Sequence, residues 1–334
     1  MVVACGAPDP DKSEETRAVQ GADQPLTREA IERAVFERAP APPPAEGVEA
    51  EPAEPDPAVV RAQILLDRAH FSPGVIDGLG GDNTRQAIAA YEEAQKLPVD
   101  GVLDAEVFKR LTAGSREPVL MDYAITEADL AGPFIGKVPD DLEALAALKT
   151  AGYATPLEAL AERFHMTEAL LFMLNPGADF TNAGERIVVS AVSSDALAAD
   201  VARSVIDKDE RSLRAYGADD ALLAFYPATI GSSERPAPSG STEVRVVAPR
   251  PNYTYDPDRV SYDRGDQKLV VPPGPNNPVG AVWIDLERDT YGIHGTPDPS
   301  KVGKTFSNGC VRLTNWDALE LSKRVKPGVR VEFT

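Results

Sequence analysis

The spacing of apolar residues changes twice along the chain, and each change limits what the following segment can fold into. Residues 6–57 show no apolar period and are rich in Pro, Ala, Glu and Asp, as in the stretch APAPPPAEGVEAEPAEPDP. From residue 58 the apolar residues mostly recur at helical spacing, and from residue 200 they alternate as in β-strands. This order, in a chain of 334 residues, predicts a multidomain α+β protein.

Residues 1–57 are predicted to be a disordered acidic linker, because such a segment cannot bury enough apolar surface to offset the entropy of ordering. At its start, Val2, Val3 and Ala4 precede Cys5, which resembles the end of a bacterial lipoprotein signal. Two interpretations stay open: an unstructured N-terminus, and a lipid anchor attached through Cys5. We favour the anchor, since the linker that follows would serve as a tether.

The formal net charge of −19 weighs against nucleic acid as a partner, because no basic patch stands out that could neutralise phosphates. The two cysteines, Cys5 and Cys310, lie at opposite ends of the chain. We therefore expect each to have its own role rather than a shared disulfide. We expect the protein to be a monomer.

Residues 58–114 contain two similar units, VIDGLGGDNTRQAIAAY and PVDGVLDAEVFKRL, in which an aliphatic-Asp-Gly turn is followed by a helix. The turns fall at Asp77-Gly78 and Asp100-Gly101, since Asp and Gly tolerate the backbone conformations of tight turns. This doubled arrangement resembles the three-helix peptidoglycan-binding domain of bacterial cell-wall hydrolases. A generic helical bundle is the alternative.

Residues 115–151 are assigned to a connecting segment, and residues 152–192 to a small separate domain. In this domain Thr155-Pro156 is typical of a helix start, Asn175-Pro176-Gly177 ends a second helix, and residues 187–189 predict a strand. The arrangement resembles a lysin-motif (LysM) domain, a βααβ module that binds N-acetylglucosamine chains. The alternative is a spacer domain without carbohydrate affinity.

Residues 200–334 are predicted to form a mainly-β sandwich, because several short strands with turn signals follow one another. The segment HGTPDPSKVGKTFSNGCVRLTNW, which begins at His294, holds one of three histidines and one of two cysteines in the chain. A neighbouring histidine is the usual way to generate the thiolate that cysteine chemistry needs. The helix predicted after Cys310 adds a dipole that favours a negative sulfur. His294 and Cys310 are therefore candidates for a base and a nucleophile.

Two other interpretations of Cys310 fit the residues less well. A buried inert cysteine predicts apolar neighbours, whereas Ser307, Asn308 and Arg312 lie beside this one. A zinc site needs about four ligands, and one histidine with one cysteine is too few. We therefore expect no metal site at these residues.

The stretches IHGT and SNGCVRL, with PGPNNPVG and VWIDL upstream, resemble the active-site signature of the L,D-transpeptidases, bacterial enzymes that remodel peptidoglycan. The family pattern is a histidine, a loop of similar length, and then Ser/Thr-His-Gly-Cys. The resemblance covers residues 200–334 and implies a nucleophile at Cys310 and a base at His294. It further implies that the carbonyl of Gly295 orients the imidazole and that Ser307 shapes the pocket. The oxyanion hole would be formed by the N–H groups of Asn308, Gly309 and Cys310. Arg312 would hold a substrate carboxylate or brace the loop.

Asn308 departs from the family pattern, which usually has histidine at this position. His294 is the single histidine of residues 200–334, so it must be the base if the protein is an enzyme. Asparagine keeps its backbone N–H and can still form hydrogen bonds, and we therefore expect activity to survive. The alternative is a catalytically silent scaffold that binds the cell wall.

The resemblance implies acyl transfer in two steps, which need no metal and no organic cofactor. The Cys310 thiolate attacks the carbonyl between diaminopimelate and the terminal D-Ala of a tetrapeptide stem, D-Ala leaves, and an amine of a second stem resolves the thioester into a 3–3 crosslink. Water or a lysine of a partner lipoprotein is the alternative acceptor, which would give a carboxypeptidase or an anchoring enzyme. The implied partners are peptidoglycan stem peptides and glycan. The implied location is the periplasm or cell envelope, with an outer-membrane lipoprotein as the form anchored through Cys5.

Overall fold

The computed structural model describes residues 26–36, 54–115, 117–193, 195–232, 236–259, 265–307 and 309–334. Cys5 and Asn308 lie outside these residues, so the roles predicted for them stay predictions. Within the described ranges, no helix has both the length and the apolar character needed to cross a bilayer.

Nine α-helices and thirteen strands occupy the described residues. The helices are α1 (Arg28–Arg33), α2 (Pro57–Arg68), α3 (Asp82–Gln95), α4 (Ala105–Gly114), α5 (Glu127–Leu130), α6 (Leu142–Ala146), α7 (Pro156–Arg163), α8 (Glu168–Leu174) and α9 (Asn315–Ser322). The strands are β1 (Leu120–Ala124), β2 (Arg186–Ser190), β3 (Arg203–Asp207), β4 (Ser212–Tyr216), β5 (Leu222–Pro227), β6 (Thr229–Ile230), β7 (Gly240–Pro249), β8 (Tyr253–Tyr255), β9 (Leu269–Val271), β10 (Val282–Leu286), β11 (Gly292–His294), β12 (Val311–Arg312) and β13 (Arg330–Phe333). A short 3-10 helix spans Pro299–Lys301.

Helix α1 lies within residues 1–57, so the prediction of a disordered linker is wrong for this part of the segment. The Thr27 side chain caps the helix by accepting a backbone hydrogen bond at 3.1 Å. Ile31 is fully buried, and Leu26 and Phe36 pack against the same core. These apolar side chains are too few to form a hydrophobic core alone. They are buried because α1 packs against helix α2.

The internal repeat of residues 58–114 is visible in the way each Asp-Gly turn is held. In the first unit, the buried Gln63 of α2 accepts a hydrogen bond from the Gly78 N–H at 2.8 Å. In the second unit, Glu92 of α3 accepts one from the Gly101 N–H at 2.9 Å. Both glycines have positive φ, of 76° and 68°, which is the reason the sequence uses glycine there. A buried polar side chain from the preceding helix thus positions each turn.

The two helices and the strand predicted within residues 152–192 are confirmed as α7, α8 and β2. The partner of β2 is β1, which lies in the segment assigned to a connection. The two strands pair antiparallel, from Leu120 opposite Ser190 to Ala124 opposite Arg186. Helices α5 and α6 follow β1 in the same connecting segment. The carbohydrate-binding role of this unit stays a prediction.

The C-terminal segment forms a nine-stranded sheet in the order β5-β4-β3-β13-β7-β10-β11-β12-β6. Residues 203–230 of this segment contain four strands, with Arg211 at a positive φ of 60° in the turn between β3 and β4. Strand β7 pairs with β13 through its first half and with β10 through its second half. Because β7 is shared by two layers with one common core, the segment has the predicted mainly-β sandwich architecture.

The two edge strands of this sheet are neighbours in sequence. Strand β5 ends at Pro227, and β6 begins at Thr229. The two edges of the sheet therefore lie close together, and the sheet curls round its core. Helix α9 packs against β10 and β11 and contributes Ala318 and Leu321 to the core.

The helical segments pack directly against the nine-stranded sheet. The Ser72 N–H donates to the Phe225 carbonyl of β5 at 2.9 Å, and the Phe225 N–H donates to the His70 carbonyl at 3.0 Å. The Ser72 hydroxyl also donates to a carboxylate oxygen of Asp317 on α9, at 2.9 Å. The residues that follow α2 therefore extend the sheet at β5 and contact α9 at the same time.

Candidate active site

A parallel pair of strands brings His294 and Cys310 together. Strand β11 ends at His294, and β12 begins directly after Cys310, with Val311 opposite Ile293. Val311 and Ile293 point into the core, and each is about 1% exposed. Their neighbours along the two strands, His294 and Cys310, therefore point to the other face of the sheet. The predicted base and the predicted nucleophile share one face of adjacent strands.

The surroundings of His294 fix its tautomer and its charge. Its Nδ1 lies 2.6 Å from the Gly295 carbonyl oxygen. A carbonyl oxygen can only accept a hydrogen bond, so Nδ1 carries the proton and Nε2 presents its lone pair. The imidazole is buried against Trp283, with the ring centroids 5.4 Å apart. Burial, together with the charge of Arg312, lowers the pKa of His294 to about 3, so the side chain is neutral at pH 7 and can accept a proton.

The Cys310 side chain lies against the backbone that leads into β11. Its thiol donates to the Thr290 carbonyl oxygen at an Sγ–O distance of 3.6 Å, and the Gly292 N–H donates to the sulfur. Burial raises the pKa of the Cys310 thiol, although the Gly292 N–H and the charge of Arg312 act in the opposite direction. The helix predicted after Cys310 is α9, which begins at Asn315; the effect of its dipole stays a prediction, and burial is the largest influence on the pKa of the thiol.

Ser307 holds the turn that presents Cys310. Its Oγ donates to the Cys310 carbonyl at 2.5 Å and accepts a hydrogen bond from the Gly309 N–H at 3.2 Å. Gly309 has a φ of 111°, and a Cβ at this position would lie 2.9 Å from the Tyr291 ring. The turn therefore requires glycine. Of the three predicted oxyanion-hole donors, the Gly309 N–H is engaged by Ser307, and Asn308 lies outside the described residues.

Arg312 lies at the wall of a cleft of about 280 Å³. Its charge lowers the pKa of both His294 and Cys310, and the pairing of β11 with β12 puts Arg312 directly opposite His294. The cleft is also lined by Lys301 and by residues 138–142, which belong to the connecting segment. A guanidinium in such a cleft is suited to binding a carboxylate, which is one of the two roles predicted for Arg312.

The other two histidines lie away from His294. His70 Nδ1 is 2.8 Å from Glu320, and His165 Nδ1 is 2.8 Å from Asp67. Both pairs join the helical segments to each other or to α9. Among the residues that the structure describes, no three or more side chains of His, Cys, Asp and Glu converge as metal ligands would.

Two residues of the site were not identified from the sequence. Trp283 lies opposite His294 in the pairing of β10 with β11, and its indole covers Gly292, where a Cβ would come within 2.4 Å of the ring. The alternation of VWIDL, in which the first, third and fifth residues are buried, could have placed Trp283 on the same face as His294. Asn315 is buried and accepts a hydrogen bond from the Ala281 N–H at 2.9 Å. Its contacts are distant in sequence, so no local pattern indicates them.

Comparison with known proteins gives two family matches and several curated relatives. Residues 202–333 match the family described as the L,D-transpeptidase catalytic domain (YkuD), and residues 55–111 match a peptidoglycan binding domain. A Bacillus licheniformis protein that bears the name L,D-transpeptidase YkuD is 33% identical over 181 residues, which cover 53% of this chain and 93% of the relative. An Escherichia coli protein that bears the name L,D-transpeptidase ErfK/SrfK is 31% identical over 186 residues, which cover 53% of this chain and 59% of the relative.

Solved structures give a weaker likeness. An L,D-transpeptidase from Mycobacterium smegmatis has a sequence identity of 19% and a TM-score of 0.34. The superposed part covers 45% of this chain and 63% of that chain.

Proposed function

Because the chain belongs to the L,D-transpeptidase family, we propose that it cleaves the bond between diaminopimelate and D-Ala in peptidoglycan tetrapeptide stems and transfers the acyl group to an amine. The observation that carries this proposal is the parallel pairing of β11 with β12, which puts a neutral imidazole and a thiol on one face. The match of residues 55–111 to a peptidoglycan binding domain supports the same polymer as substrate.

In the first step, Cys310 forms a thioester. His294 Nε2 takes the thiol proton while the sulfur attacks the carbonyl carbon of the stem peptide. The N–H groups of Cys310 and Asn308 donate to the developing oxyanion. The C–N bond then breaks, and His294 returns the proton to the nitrogen of the departing D-Ala. Arg312 binds the carboxylate of this terminal D-Ala in the cleft.

In the second step, an acceptor consumes the thioester. An amine of a second stem loses a proton to His294 and attacks the acyl carbon, and the C–S bond breaks to restore the thiol of Cys310. The product is a 3–3 crosslink. Water as the acceptor would give a tripeptide, and a protein lysine would give a covalently anchored lipoprotein.

The other segments would hold the enzyme on its substrate. We assign peptidoglycan binding to the three-helix unit of residues 58–114 and glycan contact to the LysM-like unit of residues 152–192. Since peptidoglycan lies outside the cytoplasmic membrane, we place the protein in the cell envelope, in the periplasm, with a lipid anchor at Cys5. Metabolic labelling with palmitate tests the anchor: label on the native chain and none on Cys5→Ala supports it, and equal labelling contradicts it.

The proposed activity is tested by mass spectrometry of purified tetrapeptide muropeptides incubated with the native protein and with Cys310→Ala. Dimers that lack one D-Ala and form only with the native protein would support transpeptidation. Tripeptide alone would identify water as the acceptor. The absence of both products, together with no carbapenem adduct on Cys310, would refute the activity and support the scaffold alternative.

A pair of histidine variants tests the base. His294→Gln should lose both products because it removes the proton acceptor. His70→Gln makes the same substitution at a histidine that contacts Glu320 on α9, and it should keep the activity per folded molecule. Equal activity of the two variants would rule out His294 as the base.

A further inference from the structure

Asn315 fixes the backbone that orients His294. It is the first residue of α9 and is about 1% exposed. A Cβ on Gly295 would come 2.1 Å from Asn315 Oδ1, so the amide lies directly against the backbone of Gly295. The same oxygen accepts a hydrogen bond from the Ala281 N–H at 2.9 Å. Asn315 therefore packs against the residue whose carbonyl accepts the Nδ1 hydrogen of His294.

The other end of the same amide is held from outside the catalytic domain. Asn315 Nδ2 donates to the two carboxylate oxygens of Glu162, at 3.0 and 3.2 Å, and to the Pro275 carbonyl at 3.2 Å. Glu162 lies on α7, in the small unit that precedes the catalytic sheet. The Tyr153 hydroxyl donates to Glu162 at 2.9 Å. The carboxylate is therefore oriented from both sides.

The segment around the start of α7 also forms hydrogen bonds with the loop that precedes β10. The Asn276 side-chain amide donates to Glu158 at 2.9 Å, and the Asn276 N–H donates to the Ala151 carbonyl at 2.9 Å. At Gly274, a Cβ would lie 2.0 Å from the Ala151 carbonyl oxygen. This loop carries Pro275, which is itself a partner of Asn315. The α7 unit and the catalytic domain thus meet in close contact on both sides of Asn315.

We propose that Glu162 is a positioning residue for acyl transfer: through Asn315 it holds Gly295, and Gly295 orients His294. The inference rests on the proposed function, in which His294 is the base. Glu162 acts on the chemistry only through Asn315. The small unit of residues 152–192 is then a part of the framework of the active site.

The test is the rate at which a carbapenem acylates Cys310, measured per folded molecule by intact-protein mass spectrometry at pH 8. Glu162→Ala and Asn315→Ala should each slow acylation about tenfold, the effect of losing roughly one hydrogen bond. The double variant should be no slower than the slower single variant, because both substitutions break the same link. Glu162→Gln keeps the size of the side chain and an acceptor for Asn315, so it should restore the native rate to within about twofold.

Glu320→Ala is the matched control for this test. Glu320 also joins α9 to another segment, through His70 at 2.8 Å and Tyr226 at 2.7 Å. Its substitution should lower stability and leave the acylation rate per folded molecule unchanged. A general weakening of the interface would instead slow Glu320→Ala and Glu162→Ala alike, which would overturn the proposal.

The remaining outcomes distinguish failure of the positioning role from failure of the proposed function. A native rate in Glu162→Ala, or losses that multiply in the double variant, would overturn the positioning role. Failure of the native protein itself to be acylated would overturn the proposed function, and the inference with it. If Glu162→Ala does not fold, Glu162→Asp replaces it, because a side chain one methylene shorter should lose Asn315 and slow acylation while Glu162→Gln does not.

Discussion

Replacing Glu162 by Gln should stabilise the protein strongly at pH 8 and only slightly at pH 5. Burial raises the pKa of the Glu162 carboxyl from 4.5 to about 7, although hydrogen bonds from Tyr153 and Asn315 act in the opposite direction. Below pH 4.5 the carboxyl is protonated in the folded and the unfolded chain, and its contribution to stability is fully present. As the pH rises through about 7, the folded protein must hold a buried charge, and this contribution is lost.

The shift from 4.5 to about 7 corresponds to about 3 kcal/mol of unfolding free energy, most of which is lost between pH 5 and pH 8. Gln keeps the shape of the side chain and carries no charge, so the Gln variant does not lose this free energy of unfolding as the pH rises. Urea unfolding, followed by the fluorescence of Trp283 and Trp316, measures the free energy of unfolding of both proteins at the two pH values. Comparison of the two proteins at the same pH cancels the pH dependence of stability that they share.

The control is Glu143→Gln, which removes one negative charge from an exposed position on α6. It should change stability by less than about 0.5 kcal/mol at either pH. Equal stabilisation by Glu162→Gln at pH 5 and pH 8, or a loss of stability at pH 8, would refute the reasoning. A stabilised Glu162→Gln that keeps the native acylation rate would show that the position of the side chain, and not its charge, serves the site.

Three further predictions concern the turn, a helix cap and the cleft. Gly309→Ala should cost about 1–3 kcal/mol of stability and slow acylation, because alanine would have to adopt a φ of 111° with its Cβ 2.9 Å from the Tyr291 ring. Thermal unfolding measures the loss of stability, and adduct formation measures the rate of acylation. Unchanged values would contradict the role of the turn. Asp104→Ala removes the cap that accepts a hydrogen bond at 2.8 Å at the start of α4, so thermal unfolding should show a loss of about 1 kcal/mol while acylation stays native. Arg312→Met removes a charge that lowers the pKa of Cys310, so the pH profile of alkylation by iodoacetamide should move to higher pH; a shift to lower pH would contradict this electrostatic role.

The parts of the fold that follow local patterns were predictable from the sequence. Helices α7 and α8 each begin after a threonine whose side chain caps the helix, and these caps are visible in the sequence. The meeting of His294 with Cys310 was also predictable, because a histidine at a strand end and a cysteine after a loop of small residues favour return to the same sheet edge. Alternation within the strands then decides the face to which each side chain points.

The remaining features depend on partners that are distant in sequence. Strand β1 is short and mostly exposed, and it becomes a strand because β2 pairs with it. Helix α1 depends in the same way on the surface of α2, which buries Ile31. The raised pKa of Cys310 depends on burial that only the folded chain creates. For the same reason, the contact between Glu162 and Asn315 could not be predicted from local pattern or composition.

The hydrogen bonds between residues 70–72 and Phe225 have a consequence for the solubility of the catalytic domain. Strand β5 is an edge strand of the nine-stranded sheet, and an uncovered edge is a template for pairing with another chain. Residues 70–72 occupy both the N–H and the carbonyl of Phe225, and Phe71 is buried where the segments meet. A fragment of residues 200–334 alone would expose these groups and the apolar surface beside them, and we expect it to self-associate. The helical segment thus also protects the sheet from aggregation, independently of any affinity for the cell wall.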